Sequence, residues 1–446
     1  MSLIPKDAVS RRAFLQTTAT VGAALAIPRS VYAGGYTFGS DTLKIGLIGC
    51  GGRGTGGIVQ CIQSSPGIEL IAIGDLLPER IDRARSELTK AAAANPAVAA
   101  ANKLTDAMCF SGFDSYKKVL ATDVQYVMLA TPPGMRPLHL RAAIEAGKHV
   151  FAEKPVATDI DGIRSVLATH QLALQKNLGI GVGTQRRHHP GYQEMMKRIQ
   201  DGAIGEVLNG QVFWNQGGLW SFEKKPEWSD AEWQLRNWLY FTWLSGDHIV
   251  EQHVHNIDVA NWVMGGPPVR AIGMGGRQSR VQPQYGHIFD HFAIDFEYAN
   301  GVHINSMARQ IQGARGRVGE WFQGSKGTAQ FAESGPFILK GASAWEWKRP
   351  ETFVVPMIQE HADLIASIRD GKPRNDLKRM ADSNLTAIMG RESAYTGQTV
   401  EWQGLVDTQQ NIAPGPLEQI AFGPLATPPV AMPGRTKLAR SYVEGW

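Results

Sequence analysis

Two short stretches of this sequence carry the side chains best suited to chemistry. The first is Glu153-Lys154-Pro155, which follows the apolar run at residues 149–152. A lysine held at the end of a buried strand can change its protonation state in a way that a solvated surface lysine cannot. Lys154 can therefore donate a hydrogen bond to a substrate hydroxyl and stabilise the alkoxide that develops as hydride leaves carbon.

The second stretch is a predicted helix at residues 247–264. Glu251, His255 and Asp258 are spaced i, i+4 and i+7, so all three side chains project from one helix face. Oxidation of a hydroxyl group needs a base that takes the hydroxyl proton. His255 fits that role, and Glu251 is placed to orient the imidazole and stabilise its charged form.

Two other interpretations of this helix stay open. In one, His255 is an ordinary histidine on a solvated helix face. In the other, His248, Glu251 and His255 bind a metal ion at i, i+3 and i+7. The metal site is the weaker alternative, because the H-E-x-x-H pattern is absent, and we predict no metal.

The elements that must position these residues begin with a strand at 43–48 and a glycine-rich turn. Gly49, Gly51 and Gly54 have the G-x-G-x-x-G spacing, and the next strand ends at Asp75. The first glycine permits a tight turn, the second lets the backbone approach a pyrophosphate, and the third lets helix and strand pack closely. Asp75 would accept hydrogen bonds from a ribose diol and repel a 2′-phosphate, which favours NAD over NADP.

Strands and helices alternate up to residue 183, and the alternation then stops. This pattern predicts an α/β fold whose first domain is a doubly wound parallel sheet of Rossmann type, with Lys154 at the carboxyl end of a central strand. Later strands follow one another without helices, which predicts a C-terminal α+β domain with a large, mostly antiparallel open sheet. We predict a signal segment at 1–33, an NAD-binding domain at 34–183, a substrate-binding and oligomerisation domain at 184–403 and a Pro/Gly-rich arm at 404–446.

The overall composition limits the kinds of partner. A chain of 446 residues exceeds what one hydrophobic core usually supports, which agrees with two domains. The net charge of +4 is spread along the chain without a Lys/Arg block, which argues against nucleic acid and favours a small polar ligand. Three cysteines are too few for a disulfide framework.

The beginning of the chain predicts export. Ser10-Arg11-Arg12-Ala13-Phe14-Leu15 precedes an apolar run at 19–27, and Val31-Tyr32-Ala33 offers a small-residue cleavage site. This combination is typical of a twin-arginine signal peptide, and the apolar run is too short to span a bilayer. We therefore expect a periplasmic or otherwise exported protein without a membrane span.

Aromatic residues indicate where a substrate would lie. Six of the twelve tryptophans fall between residues 214 and 243, beside polar side chains such as Arg236 and Asn237. Aromatic faces next to hydrogen-bonding groups suit a sugar ring, although core packing would explain many of them as well. The polar run at 185–189 leaves the last Rossmann strand near the same place. The predicted substrate contacts are Arg186, Arg187, Trp238 and Asp258.

Taken together, these motifs resemble the Gfo/Idh/MocA family of oxidoreductases over residues 43–395. The resemblance rests on the glycine turn at 49–54, on Ala130-Thr131-Pro132-Pro133 with His139, on residues 146–155 and on residues 255–258. It implies a catalytic lysine at Lys154, an acid and a histidine on a facing helix, and a C-terminal sheet that often serves oligomerisation. Glu251 stands where the family usually has Asp, which leaves the substrate open.

The same resemblance extends the cofactor prediction. Exported family members can keep their nicotinamide cofactor bound through turnover, so we expect retained NAD, with NADP less favoured. The residues predicted to hold it are Gly49, Gly51, Gly52, Arg53, Gly54, Asp75, Thr131, Pro132, His139, Glu153 and Lys154.

Three functions fit these residues. The first is an NAD(P)-dependent oxidoreductase acting on a sugar, polyol or glycoside hydroxyl, with Lys154, Glu251 and His255 as catalytic residues and a homo-oligomer as the expected assembly. The second is an NAD-dependent glycosidase that oxidises a ring hydroxyl transiently and eliminates the aglycone; the additional histidines at 188, 189, 248 and 253 keep it open. A sugar-binding protein without catalysis is disfavoured by the intact catalytic set.

Overall fold

The computed structural model describes residues 42–438, and its first sheet contains the predicted cofactor turn. The strands are β1 Leu43–Ile48, β2 Ile68–Asp75, β3 Cys109–Ser111, β4 Tyr126–Leu129, β5 His149–Ala152 and β6 Ile180–Val182. They are all parallel and lie in the order β3-β2-β1-β4-β5-β6. The order reverses between β1 and β4, where sheets of this type bind ligands. The predicted doubly wound Rossmann sheet is confirmed.

Helices connect these strands. They are α1 Gly52–Ser64, α2 Pro78–Ala94, α3 Pro96–Ala101, α4 Ser115–Leu120, α5 Arg136–Glu145 and α6 Ile160–Gln175. β4 and β5 are buried at every position, as their continuous apolar sequences require for central parallel strands. The single helical segment predicted at 78–101 is divided in the structure, because Asn95 accepts a hydrogen bond from the Ala97 N–H and Pro96 starts a new helix.

A second, nine-stranded sheet follows. Its strands are β7 Val207–Gln216, β8 Arg270–Gly276, β9 His291–Glu297, β10 His303–Gln310, β11 Arg317–Gly324, β12 Gly327–Phe331, β13 Ile338–Gly341, β14 Trp345–Glu346 and β15 Val400–Glu401. The order is β14-β13-β12-β11-β7-β10-β9-β8-β15. Of the described neighbours, only β7 and β10 pair in parallel, so the prediction of a mostly antiparallel sheet is confirmed.

The helices of this part of the chain include the one predicted to carry the catalytic face. They are α7 Pro190–Gln200, α8 Asp230–Arg236, α9 Thr242–Ser245, α10 His248–Glu251, α11 Val254–Met264, α12 Pro356–Arg369, α13 Leu377–Thr396 and α14 Trp402–Asp407. The prediction of one continuous helix over 247–264 is wrong at its centre, since Gln252 and His253 separate α10 from α11. Glu251 and His255 therefore lie on two short helices.

Late segments of the chain return to the first sheet. Leu364, Ile365 and Ile368 of α12 belong to the same buried apolar cluster as β1 and β2, so residues far beyond position 183 complete that core. The irregular segment at 408–438 also packs on its own chain, with Gln410 and Ile412 fully buried. The predicted signal segment and the last eight residues of the predicted arm lie outside the described residues. Across residues 42–438, no helix is both long enough and apolar enough to cross a bilayer.

Candidate active site

The turn after β1 has the shape that a bound diphosphate requires. Gly49 has φ +99°, and a Cβ there would lie 2.6 Å from the carbonyl carbon of Ala130. A Cβ on Gly54 would lie 2.0 Å from the Gly49 oxygen, so only glycine allows α1 to pack against the turn. By contrast, a Cβ on Gly52 would meet nothing within 4 Å. Helix α1 has no side-chain cap and no acidic residue in its first turn, which leaves its N–H groups for an anion.

Asp75 is fixed at the end of β2 beside this turn. Its carboxylate accepts hydrogen bonds from the Cys50 N–H at 2.6 Å and from the Leu77 N–H at 2.9 Å. Burial raises the pKa of Asp75 above its usual value, and the two N–H donors oppose that shift. The carboxylate oxygens keep further acceptor capacity, so the position suits a ribose diol.

A cleft extends from this turn, and we call it the dinucleotide cleft. The predicted cofactor residues that line it are Gly49, Gly51, Asp75, Thr131, Pro132 and His139. His139 Nδ1 lies 3.0 Å from Thr131 Oγ1. Burial lowers the pKa of His139 to about 3, with a further contribution from Arg136, so the ring is neutral. The glycine turn, the acidic residue and a neutral polar wall together fit a nicotinamide dinucleotide.

Sequence reasoning missed several residues of the same cleft. The additional lining residues include Arg80, Phe113, Tyr116 and Leu235. Phe113 and Tyr116 follow β3, a strand of only three residues whose pattern is too short to recognise. Leu235 comes from α8, far along the chain, and its approach depends on tertiary packing.

A second cleft adjoins the first, and we call it the lysine cleft. Ala130 and Trp238 line both clefts. All three predicted catalytic residues, Lys154, Glu251 and His255, line the lysine cleft. The structure therefore brings together side chains about a hundred positions apart at the border of the dinucleotide cleft.

Lys154 is held by Glu251. The Lys154 Nζ lies 2.9 Å from Glu251 Oε1 and also donates to the Glu251 backbone oxygen. Both side chains are only 13% exposed, so the pair is largely withdrawn from solvent. The helix spacing predicted that Glu251 would orient His255, whereas in the structure its carboxylate hydrogen-bonds Lys154. An ammonium group has three donors, and the pair leaves one of them for a ligand.

His255 is positioned by an aromatic ring. The imidazole stacks on Trp214 with centroids 5.7 Å apart and ring planes at 22°. The Trp214 Nε1 donates to Gln216 Oε1 at 2.9 Å, which fixes the indole plane. Burial, followed by the positive charges of Lys154 and Arg186, holds the pKa of His255 well below its usual value. The ring is thus neutral at neutral pH and can accept a proton.

Besides Lys154, two further residues from the predicted cofactor set face the lysine cleft instead of the dinucleotide cleft. Arg53 Nε lies 2.5 Å from Glu153 Oε1, and Arg53 Nη2 lies 3.3 Å from Glu360 Oε1. Arg53 and Glu153 both line the lysine cleft, beside Met357 of α12. Burial, reinforced by the nearby Glu153, raises the pKa of Glu360 well above its usual value. This cluster ties α1 to α12 next to Lys154, the predicted catalytic lysine.

The four predicted substrate contacts separate into two groups. Trp238 lines both clefts. Arg186, in contrast, is 1% exposed and pairs with the buried Glu320 at 2.6 Å. Arg187 Nε lies 2.7 Å from Asp258 Oδ2. Burial alone would raise the pKa of Asp258, but the positive charges of Arg187 and Arg379 outweigh burial and lower this pKa below its usual value. These three charged residues are engaged in ion pairs inside the protein, beside rather than within the cleft.

The additional histidines also have structural partners. His188 Nδ1 lies 2.5 Å from Asp363, and His253 Nε2 lies 2.7 Å from Ser306 Oγ. His248 Nδ1 lies 2.9 Å from Asp247, and His189 accepts the Gly191 N–H. These contacts account for the histidines that kept the glycosidase open, and that alternative gains no support. Within the described residues, no group of three or more His, Cys, Asp or Glu side chains is arranged to hold a metal ion.

Fold and site define a chain with an NAD-binding Rossmann domain and a second domain built on a mostly antiparallel sheet. A family described as "Oxidoreductase family, NAD-binding Rossmann fold" matches residues 43–183, and "GFO/IDH/MocA C-terminal domain" matches residues 192–330. The chain belongs to the Gfo/Idh/MocA family, as its motifs predicted.

Similar proteins with described activities include inositol dehydrogenases. Inositol 2-dehydrogenase of Serratia proteamaculans is 27% identical over 267 residues, which cover 59% of this chain and 66% of the relative. The enzyme of Ralstonia nicotianae is 28% identical over 264 residues, with 59% and 66% covered. The matched segments thus span just under two thirds of these relatives.

Solved structures share the fold at lower identity. Scyllo-inositol dehydrogenase from Lactobacillus casei, solved with bound NAD(H) and scyllo-inositol, is 20% identical with a TM-score of 0.60. Aldose-aldose oxidoreductase from Caulobacter crescentus, solved with glycerol, is 17% identical with a TM-score of 0.63. Each similarity covers 81% of this chain and 99% of the other.

Proposed function

We propose that this protein transfers hydride between a hydroxyl group of a sugar, polyol or glycoside and a tightly bound NAD. The observation that carries the proposal is the position of Lys154 and His255 in a cleft that shares Ala130 and Trp238 with the dinucleotide cleft. The inositol dehydrogenase relatives support a polyol or sugar ring as the substrate.

The residues of the lysine cleft divide the chemical work. The bound cofactor supplies the hydride acceptor. His255, as a neutral imidazole, takes the hydroxyl proton, and Lys154 donates a hydrogen bond to the same oxygen to stabilise the alkoxide. Glu251 keeps the Lys154 ammonium group in place through the 2.9 Å ion pair, and Trp214 keeps the His255 ring in its plane.

NAD is the proposed cofactor because of Asp75. Its carboxylate is held at the end of β2 by two backbone N–H groups and faces the dinucleotide cleft. A carboxylate there favours a ribose diol and repels a 2′-phosphate. Retention of the cofactor through turnover is part of the proposal and can be measured as NAD that stays with the protein through gel filtration.

We also propose an exported homo-oligomer. Export follows from the twin-arginine motif at residues 10–15, which would deliver a folded, cofactor-loaded protein to the periplasm. Oligomerisation is supported by the outer face of the nine-stranded sheet, where Met274 and Met307 both pair with Ala293 and are 74% and 39% exposed. Exposed apolar surface of this kind marks interaction sites. Light scattering of Met274→Lys is expected to give a smaller assembly than the wild type.

The decisive experiment follows the bound nicotinamide directly. Purified protein loaded with NAD is mixed with a panel of polyols and sugars that includes myo-inositol and scyllo-inositol, and NADH formation is read by absorbance. At least one compound is expected to reduce the bound cofactor. The exposed Lys197 gives the matched control, because Lys197→Ala keeps the reaction while Lys154→Ala loses it. A panel that leaves bound NAD oxidised throughout would contradict the proposed substrate class.

A further inference from the structure

Part of the dinucleotide cleft is lined by residues that lie outside the Rossmann sheet. Leu235 of α8 lines it together with Asp75 and Phe113, and Trp238, just after α8, lies where it meets the lysine cleft. In sheets of this type the acidic residue after the second strand marks the adenosine end of the dinucleotide. Leu235 shares the cleft with Asp75, so α8 contributes to a wall that reaches from the adenosine end towards the lysine cleft.

Hydrogen bonds join helix α8 to residues 423–425 near the C-terminus. The Ala231 N–H donates to the Gly423 oxygen at 3.0 Å. The Leu425 N–H donates to Asp230 Oδ2 at 3.2 Å, and the buried Gln234 Nε2 donates to the Leu425 oxygen at 3.0 Å. Both ends of α8 are thus fixed to residues 423–425. We call α8 together with residues 417–425 the C-terminal clasp.

The clasp is also fixed to the Rossmann side of the cleft. Arg236, the last residue of α8, forms an ion pair with Glu79 in the first turn of α2, directly after Asp75. Phe422 packs edge-on against Phe113, with ring centroids 5.1 Å apart at 67°. The clasp therefore contacts the Rossmann domain close to the adenosine end.

Apolar packing joins these parts into one unit. Leu235 and Ile412 are buried in a cluster against which Leu417, Ile420 and Phe113 pack. Opening the clasp would expose this surface and break the Arg236–Glu79 ion pair and the Phe422–Phe113 contact, so the closed form is favoured.

We infer that the C-terminal clasp forms the outer wall of the cofactor site and slows release of the nicotinamide cofactor. The inference rests on the proposed use of the dinucleotide cleft and deepens it by naming the residues that retain the cofactor. Leu235 and Trp238 would contact a bound cofactor, while Arg236 and Phe422 act through them as positioning residues. A dinucleotide can leave only after α8 and residues 417–425 separate from Glu79 and Phe113.

The test measures cofactor release without any turnover. Protein loaded with NADH is mixed with excess NAD, and energy transfer from tryptophan to NADH is followed as NADH leaves. The double variant Arg236→Gln/Phe422→Ala removes the ion pairs of Arg236 with Glu79 and Glu232 and the aromatic contact of Phe422 with Phe113, and we expect release about tenfold faster than in the wild type. Met432→Ala changes an apolar residue that is 50% exposed and lies outside residues 417–425, and it should release NADH at the wild-type rate.

The possible outcomes are distinguishable. Release from the double variant within about twofold of the wild-type rate, with thermal unfolding still cooperative, would overturn the role of the clasp. If the double variant does not fold, Phe422→Ala alone decides the question, since Phe422 is 43% exposed and its loss should still accelerate release about threefold. Rapid release from the wild type would contradict the proposed retention, whereas the ratio between variant and wild type tests the clasp. If the protein oxidised no polyol, the rates of NADH release from the wild type and from the variant would still be measurable, so that result would contradict the proposed substrate class and not the role of the clasp.

Discussion

The dinucleotide cleft and the lysine cleft adjoin each other, but backbone shapes the floor of the first and side chains form the second. The floor of the dinucleotide cleft is backbone from one stretch of chain, where Gly49 and Gly54 leave no room for a side chain. The lysine cleft is made of side chains from separate elements: Lys154 follows β5, Glu251 ends α10 and His255 lies in α11. A substitution that adds atoms to the glycine turn should disrupt the first cleft, whereas a substitution that truncates a side chain should disrupt the second.

This difference separates two measurable properties. Under the proposed function, we expect cofactor affinity to depend on the shape of the glycine turn and turnover to depend on the charged groups of the lysine cleft. Trp238 lines both clefts, so it is the side chain through which changes in one would reach the other. Variants that affect one property and spare the other would sharpen the comparison.

The largest effect is expected from Lys154→Ala. Removing the group that stabilises the alkoxide should lower kcat about a thousandfold, while the glycine turn keeps the dissociation constant of NAD within about threefold. Single-turnover kinetics and titration calorimetry with NAD measure the two quantities. A comparable loss of NAD affinity would show that Lys154 serves mainly the cofactor and that the two clefts are not separable.

The converse variant is Gly54→Ala. Its Cβ would lie 2.0 Å from the Gly49 oxygen, and relieving such an overlap costs about 2 kcal/mol, which is roughly thirtyfold in NAD affinity. Gly56→Ala is the matched control in the same helix, because a Cβ there meets nothing within 4 Å. Equal affinities for the two variants, measured by calorimetry, would contradict the close approach of α1 to the turn.

The same contrast explains what the sequence could predict. The glycine turn, Asp75 and the position of Lys154 after a central strand were predictable, because each is encoded within a few neighbouring residues. The pairing of Glu251 with Lys154 was not, since Gln252 and His253 break the helix and the spacing rule for one helix face no longer applies.

Contacts between residues far apart in the sequence are the other part of the site that could not be predicted. Arg186 and Asp258 read as cleft residues in the sequence, but Glu320 and Arg187 engage them inside the protein. Those partners come from other elements, and nothing in the local pattern near residue 186 or 258 indicates them. The approach of α8 and residues 417–425 to the first sheet could not be predicted either, because a Pro/Gly-rich segment has no hydrophobic periodicity that would indicate where it packs.

A smaller effect is expected from pH. Burial and the charges of Lys154 and Arg186 lower the pKa of His255 well below 6.5, so the neutral base persists as the pH falls through 6.5. Only below the lowered pKa does protonation remove the acceptor, and kcat/KM then falls about tenfold per pH unit. A pH profile of kcat/KM in the wild type should place the acidic limb well below 6.5, and His255→Gln should lower the rate and lose that limb. A wild-type limb centred at 6.5 or above would contradict a buried neutral base.

The smallest effect is expected from the residue that positions this base. Trp214→Leu removes the ring on which His255 stacks, and the loss of a stacked pair is worth about 1 kcal/mol, or roughly fivefold in kcat. Because Trp214 contacts the base and not the dinucleotide turn, NAD affinity should stay unchanged. Trp214→Phe keeps an aromatic face but loses the hydrogen bond to Gln216, so it should recover part of the lost rate and of the wild-type pH profile. If Leu and Phe gave the same rate and the same acidic limb, the stacked ring would not position His255, and the catalytic face would depend on α11 alone.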